Sequence, residues 1–439
     1  MFGYYLELAL RSLRRSPGLT LLMVIAIGFG VAASMTTYSV LRAVSGDPIP
    51  WKSSRLFVPL IDAWGPRAKR NGETEPPDAL TYIDAMALMR DHRAKLQSAI
   101  YMIAPSILPE GAMKHPLNVT GHAVYSEFFP MVEAPFTYGA AWSADDDKRR
   151  AAVAVISQKL NLKLFGGTDS VGRTISVQGK GYRIVGVLDD WNPQPRYYDV
   201  FNSGGFSTDK DDLFIPFEQA IETGVSKDGS TSCATTPKDR GFTALQQSSC
   251  VWVSYLAQLD DAASVTAYRQ YLDGYAHDQQ QAGRFAWAPN NRLYDIDAWL
   301  TVQEVAPRDT KISAVVALGL LVVCLVNTVG LLLAKFLRRS SEIGIRRALG
   351  APRSAIYAQF LTEASIVGLA GGMVGLLLTG VGVVAMSVML PRNIASLARM
   401  DISLLLMTLA VAVLSAVLAG LYPTFRAAQV QPAWQLKSN

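Results

Sequence analysis

The chain has 439 residues, half of them hydrophobic and only 18% charged, with a formal net charge of +5. That balance is high for a soluble protein, and the positive charge is unevenly placed. Segment 42–311 carries 28 Lys and Arg against 32 Asp and Glu (net −4), whereas the remainder carries 13 against 4 (net +9). The basic residues flank apolar runs, as they do at the edge of a membrane, which argues against a nucleic-acid partner.

Residues 1–18 form a basic, amphipathic N-terminal stretch with Arg11, Arg14 and Arg15. The apolar run 19–41 follows. Its roughly 23 residues exceed the 7–15 of a secretory signal, so it is expected to be retained as a first membrane span. Segment 42–311 is polar and long enough for a folded α+β domain. Within it a helix is expected over Thr81–Leu96, and Asp145-Asp146-Asp147 is read as a solvated charge run. Ala152–Ile156 reads as a strand, followed by a helix from Ser157 to Phe165 with Ser157 as its N-cap. Alternation over Thr174–Gln178 and Tyr182–Leu188, around Gly179-Lys180-Gly181, predicts a hairpin. Trp191–Ser249 is rich in Gly, Ser, Thr, Asp and Pro and reads as an irregular insertion. Trp252–Leu259 reads as a strand and Ala262–Gln281 as a helix. In a compartment outside the cytoplasm, Cys233 and Cys250 are expected to pair, closing a loop worth about 3 kcal/mol on a chain-entropy estimate.

A second span is expected over 312–336, a charged segment over 337–355, a third span over 356–390, a short connection over 391–401, a fourth span over 402–422 and a tail over 423–439. Lys335, Arg338, Arg339, Arg346, Arg347 and Arg353 crowd the connection between the second and third spans. Arg426 and Lys437 follow the fourth, while the 391–401 connection has only Arg392 and Arg399. By the excess of positive charge, both termini and 337–355 are cytoplasmic and 42–311 is external. In the third span, Gly368/Gly372 and Gly371/Gly375 recur at four-residue spacing. Such faces serve either association between copies or packing against the first or fourth span. Glu363 lies near the cytoplasmic end, where a neighbouring Arg can pair with it, and no charge sits at the centre of any span, which counts against an ion or proton path.

Catalytic signals are thin. None of the four histidines forms an H-E-x-x-H pair, and no G-x-S-x-G is present. Gly167–Thr174 has P-loop spacing with Arg173 in place of Lys, but a helix is expected before it and a strand after it, the reverse of what phosphate binding requires. Neither a metal nor catalytic residues are expected.

Several segments together carry a family resemblance. These are Leu8-Ala9-Leu10-Arg11-Ser12-Leu13-Arg14-Arg15-Ser16-Pro17-Gly18, the stretch from Ala154-Val155-Ile156-Ser157 to Ile184-Val185-Gly186-Val187, Glu342-Ile343-Gly344-Ile345-Arg346-Arg347-Ala348-Leu349-Gly350-Ala351 with Gln359–Ala364 behind it, and Ala427-Ala428-Gln429-Val430-Gln431-Pro432. Over nearly its whole length the chain resembles the permease subunits of MacB/FtsX-like, type VII ABC transporters. The resemblance implies a bacterial inner-membrane protein with four transmembrane helices and a large α+β periplasmic domain between the first and second. Stalk helices are implied near Arg42–Asp47 and Glu304–Lys311. Residues 337–355 would be a coupling helix that docks on a separate ABC ATPase subunit, which uses ATP and Mg. Glu342, Arg346 and Arg347 would make charged contacts there, Ile343 and Leu349 would be apolar anchors, and Gly344, Gly350 and Ala351 complete the motif. Further implied partners are a second permease copy or a homologous permease, a periplasmic adaptor, an outer-membrane channel and membrane lipid. The implied role is transmission of ATP-driven motion to the periplasmic domain for efflux of a periplasmic substrate such as a drug, peptide or toxin-like molecule. The alternatives are an FtsX-like regulator of a periplasmic hydrolase and a lipoprotein-extraction permease.

Overall fold

The computed structural model describes residues 2–66, 74–109, 115–206, 210–389 and 401–428. The expectations for Arg392, Arg399, Lys437, Gln429–Pro432 and nearly all of the 391–401 connection lie outside the described residues. The chain divides into two compact units, one of Met1–Gly46 with Ala306–Asn439 and one of Asp47–Val305.

In the first unit an amphipathic helix, Phe2–Arg15, stops at Ser16 and a long helix, Pro17–Ser45, begins. The break follows from Pro17. A residue before proline is pushed out of the helical region, while proline itself is well placed at a first helical position; Ser16 accordingly adopts φ −133° and ψ 66°. Three further long helices follow, Arg308–Leu337, Arg353–Met389 and Ile402–Ala428. Among the described residues, these three and Pro17–Ser45 are long and apolar enough to cross a membrane. They are called the first to fourth spans below. The second begins only at Arg308, with Pro307 at its N-cap and Glu304 at φ 49°. The expected stalk at Glu304–Lys311 is therefore helical only in its second half.

The glycines of the third span are used within the subunit, on two sides. A Cβ added at Gly371 would lie 2.9 Å from Ile27 Cγ2, and one at Gly375 would lie 3.3 Å from the carbonyl oxygen of Gly28, both on the first span. A Cβ at Gly368 would lie 2.6 Å from the Ala416 Cβ, and one at Gly372 would lie 3.1 Å from the Ala412 Cβ, both on the fourth. Of the two uses open to these faces, the structure shows internal packing. Gly368→Val is expected to lower the stability of this unit by about 2 kcal/mol through overpacking. Thermal unfolding in detergent checks this; an unchanged midpoint would mean that the fourth span moves aside freely. Other faces stand exposed, as suits a surface that meets lipid tails: Val315, Val322 and Val326 on the second span, and Leu369, Met373 and Leu377 on the third.

The second unit is built on a mixed sheet. Its strands are β1 (Leu56–Leu60), β2 (Leu80–Thr81), β3 (Leu96–Ile103), β4 (Ser106–Pro109), β5 (Leu117–Asn118), β6 (Gly121–Val124), β7 (Phe136–Gly139), β8 (Val153–Ile156), β9 (Thr174–Val177), β10 (Lys180–Leu188), β11 (Leu213–Pro216), β12 (Val251–Gln258) and β13 (Arg292–Asp295). The order is β13-β1-β12-β3-β6-β11-β8-β10-β9-β4-β5, with β2 beside β12 and β7 beside β10. Pairing is antiparallel except for β10 with β8 and β11 with β6. Both faces are covered. Ala154, Ile156, Tyr101 and Trp252 pack in one core, while Val153, Val155, Ile100 and Leu256 pack in another. Strands covered on both faces read as unbroken apolar runs rather than as alternation, and every residue of β12 is buried.

Local chemistry explains several boundaries. Ser157 caps the helix Gln158–Phe165 by accepting from the Leu160 amide. Asp261 and Ser264 form a reciprocal capping box at the start of Ala262–Gln281. The helix at Tyr82 ends at Asp91, short of Leu96, because His92 turns left-handed (φ 44°) and Leu96 opens β3. The β9–β10 hairpin turns on Gln178-Gly179 rather than on Gly179-Lys180-Gly181: Val177 pairs with Lys180, and both turn residues have positive φ (49° and 87°), the geometry of a type I′ turn. Gly167–Thr174 lies between a helix and a strand, as expected from its flanks. Cys233 and Cys250 are disulfide-bonded, and Cys324 is buried in the second span.

Two expectations are corrected. Asp145-Asp146-Asp147 is not a plain solvated run. Asp146 completes a capping box with Ser143, and Asp147 turns inward to accept from the Ser126 amide and the Trp142 indole, both at 2.8 Å. The 191–249 stretch is not merely an insertion, since it supplies the central strand β11 and most of a buried ionic network. His122, on β6, pairs through Nε2 with Asp199 Oδ2 at 2.8 Å and through Nδ1 with Asp211 Oδ2 at 3.1 Å. Arg196 pairs with Asp211 at 3.2 Å, the Tyr198 hydroxyl donates to Asp211, and Ser254 donates to Asp199. Burial pushes the His122 imidazole down, but the charge of Asp211 and the hydrogen bonds it donates to both carboxylates outweigh this and raise it to about 9. Burial pushes Asp211 up, and the opposed charges of His122 and Arg196 bring it down to about 2.

Candidate functional site: the helix between the second and third spans

The motif singled out in the sequence folds as a nine-residue helix, Ser340–Ala348, ending in Leu349 and in Gly350 at φ 95°. Gly350 is needed there because a side chain at that φ would be strained. Glu342 in the first turn and Arg346 and Arg347 in the last complement the helix dipole.

The two sides of this helix differ. Ile343 is 5% exposed and packs in the core of the membrane unit with Phe336, Ile356 and Phe360, and Gly344 is buried beside it. Ile345 is 60% exposed and Leu349 83% exposed, with Ala348 exposed between them. The expected apolar anchor Ile343 is therefore turned inward, and Ile345 takes its place on the outer side. Periodicity explains the exchange. Ile345, Ala348 and Leu349 are at i, i+3 and i+4 and share one face, from which Ile343 is displaced by about 200° at 100° per residue.

The charged residues are also engaged from within. Glu342 accepts from Arg346 Nη2 at 2.6 Å and from Arg339 Nε and Nη2 at 3.2 Å, and Arg346 reaches Gln359 Oε1 at 2.9 Å. Arg339 continues inward, donating to Ser12 Oγ at 2.7 Å and to Glu363 Oε2 at 3.4 Å. Glu363 is fully buried. It pairs with Lys335 at 2.5 Å, which closes the second span, and accepts from the Ser12 hydroxyl at 2.8 Å. One carboxylate thus ties together the N-terminal helix, the end of the second span, the residue ahead of the short helix and the third span. Below it, Phe336 and Phe360 pack with ring centroids 4.1 Å apart.

Sequence reasoning placed Glu363 near an arginine but missed Ser12 and Lys335 as its associates, and Gln359 as the acceptor for Arg346. The legible signal was a lysine closing one apolar helix and a glutamate in the first third of the next. An acid and a base at the same depth on adjacent spans seek each other, because an unpaired charge there is costly.

Four helices long and apolar enough to cross a membrane, a two-sided connecting helix and a large α/β domain following the first of them define a multi-span membrane protein with one large inserted domain. Residues 20–275 match the MacB-like periplasmic core domain, and residues 314–432 match the FtsX-like permease C-terminal. The chain belongs to the MacB-like periplasmic core domain family, with an FtsX-like permease region following. It is similar to the pyoverdine export ATP-binding/permease protein PvdT of Pseudomonas syringae pv. syringae, at 26% identity over 75% of this chain and 44% of that protein. It is also similar to the macrolide export ATP-binding/permease protein MacB of Rhodospirillum rubrum, at 26% identity over 85% and 52%. The chain spans about half the length of the curated relatives it matches. Among solved structures, the periplasmic region of MacB from Actinobacillus actinomycetemcomitans aligns over 58% of this chain and 95% of that one, at 13% identity and a TM-score of 0.37.

Proposed function

We propose that the chain transmits ATP-driven motion from an ABC ATPase to its external domain, for export of a substrate handled outside the membrane. The observation that carries this reading is the two-sided helix at Ser340–Ala348. Its inner side is fixed to the membrane unit through Ile343 and the Glu342–Arg339–Glu363 chain, while its outer side presents Ile345, Ala348 and Leu349. A stripe so placed can receive a push from a soluble partner and pass it to the spans without yielding locally. The positive charge around it supports a cytoplasmic helix and cytoplasmic termini, and the MacB-like match supports a periplasmic 47–305 in a bacterial inner membrane. The names of the relatives support an ATP-binding partner and export as the class of work. The ATPase would supply ATP and Mg chemistry, and a second permease, identical or homologous, would complete the pair, with a periplasmic adaptor and outer-membrane channel as further partners.

Leu349→Asp tests it in proteoliposomes containing the ATPase. Desolvating a carboxylate at the centre of the contact is expected to reduce permease-stimulated ATP hydrolysis about tenfold or more. Insertion and thermal unfolding should stay at their original values, because Leu349 touches little of its own chain. Unaltered stimulation would refute the reading.

A further inference from the structure

The external unit holds a cleft of about 740 Å³ beside the helix Tyr82–Asp91, within the size range of sites for drug-sized ligands. One wall is Tyr82, Met86 and Met89, residues at i, i+4 and i+7 and so on a single helix face. Tyr125 also lines it, as do Ala144, Asp147 and Lys148 of the helix Ala144–Lys148 and, just beyond it, Arg150. The apolar side is firm underneath. Tyr82 stacks between Phe217 and Trp252, with ring centroids 6.3 and 6.0 Å away, and Tyr125 stacks on Phe217 at 5.4 Å. The two methionines add soft, adaptable thioethers to this rigid stack.

The charges in the cleft are not balanced in how they are engaged. Each carboxylate already has close donors. Glu127 accepts from the Gln97 amide at 2.7 Å and contacts His92 at 2.9 Å, Asp147 accepts from Ser126 and Trp142, and Glu218 accepts from the Tyr125 hydroxyl at 2.8 Å. The cations are loosely paired. Arg150 lies 3.6 and 3.8 Å from Glu222 and Glu218, Lys148 lies 3.7 Å from Asp145, and Arg90 lies 3.6 Å from Asp91, all beyond hydrogen-bond range. Arg150 also holds a left-handed backbone, φ 51°, which is uncommon for a residue with a side chain and tends to mark functional positions.

We infer that this cleft binds a small aromatic or apolar molecule bearing one anionic group, its body against Met86, Met89 and Tyr82 and its anion between Arg150 and Lys148. Such a ligand gives the cations the charge-assisted hydrogen bonds they lack and leaves the carboxylates undisturbed. The site does not depend on ATP coupling.

The test uses the full chain in lipid nanodiscs and N-acetyl-tryptophan as the probe, followed by saturation-transfer NMR, with tryptamine as its cationic counterpart and empty nanodiscs as background. Saturation of the indole protons of N-acetyl-tryptophan is expected, with tryptamine at background. Lys148→Glu and Arg150→Glu should each weaken binding about tenfold, and Met86→Ser should weaken it too. Lys148 is largely exposed, so its reversal leaves folding intact. Leu349→Asp should bind the probe as well as the original chain does, which separates this site from the coupling reading. No saturation with the original chain, equal binding of tryptamine, or indifference to both charge reversals would each overturn the assignment.

Discussion

Replacing Glu363 with Gln is expected to lower the stability of the membrane unit by about 3–5 kcal/mol, the cost of leaving buried charges without their counter-ion. Lys335 is as buried as Glu363, and both Arg339 and Ser12 direct hydrogen bonds at it. Glutamine keeps the volume and an acceptor but removes the charge, so the loss is electrostatic rather than steric. Cys324 provides a local reporter. It is the free thiol of the chain and is buried in the second span, so a thiol-reactive dye reads unfolding of this unit while the disulfide-bonded cysteines stay silent. The double variant Lys335→Met/Glu363→Met should lose less than Glu363→Gln alone, because it removes the stranded charge together with its partner, and Arg339 keeps Glu342 at 3.2 Å. A double variant worse than the single one would show that packing, not charge, governs the cluster.

The external unit should show a stability plateau between about pH 4 and 6.5, falling on both sides. His122 holds its proton more tightly when folded (about 9) than when unfolded (near 6.5). Its contribution is therefore complete below 6.5 and lost as pH rises through 9, about 3 kcal/mol in all. Asp211 behaves oppositely: its folded value, about 2, lies below the unfolded one. Its contribution is complete above about 4 and lost as pH falls toward 2. Seven of the eight tryptophans lie within 47–305, so tryptophan fluorescence in denaturant reports this unit. His122→Gln should flatten the alkaline limb while lowering the plateau. An alkaline limb that survives in that variant would assign the effect to another group. Asp211→Asn, which takes a counter-charge from His122 and Arg196 together, should cost more than His122→Gln does.

The spans were legible because a run of about 20 apolar residues has few other uses, and the helix after β8 was legible because Ser157 announces its start chemically. The strand β11 was not. Leu213-Phe214-Ile215-Pro216 is four residues long, shows no alternation because both of its faces are covered, and sits among Gly, Ser and Asp that read as loop. The ionic network was invisible for a related reason: His122, Arg196, Asp199, Asp211 and Ser254 are brought together only by sheet order, with 131 positions between the first and last of them. At the connecting helix the sequence identified the right segment but put Ile343 on the outer side, where Ile345 stands. Ile343 and Ile345 are equivalent as letters, and what separates them is the rotation of the helix, which Glu342, Arg346 and Gln359 fix from the side.

The glycine faces of the third span bear on how far this chain can drift in sequence. On the second span, the positions of Val315, Val322 and Val326 ask only for an apolar side chain, and many exchanges satisfy that. On the third, Gly368 and Gly371 each meet a different neighbour at less than the width of a methyl group, so a change in either must be answered on another helix. Neutral variation is therefore free to accumulate at exposed apolar positions of this unit, whereas at the glycine faces it must proceed by matched pairs.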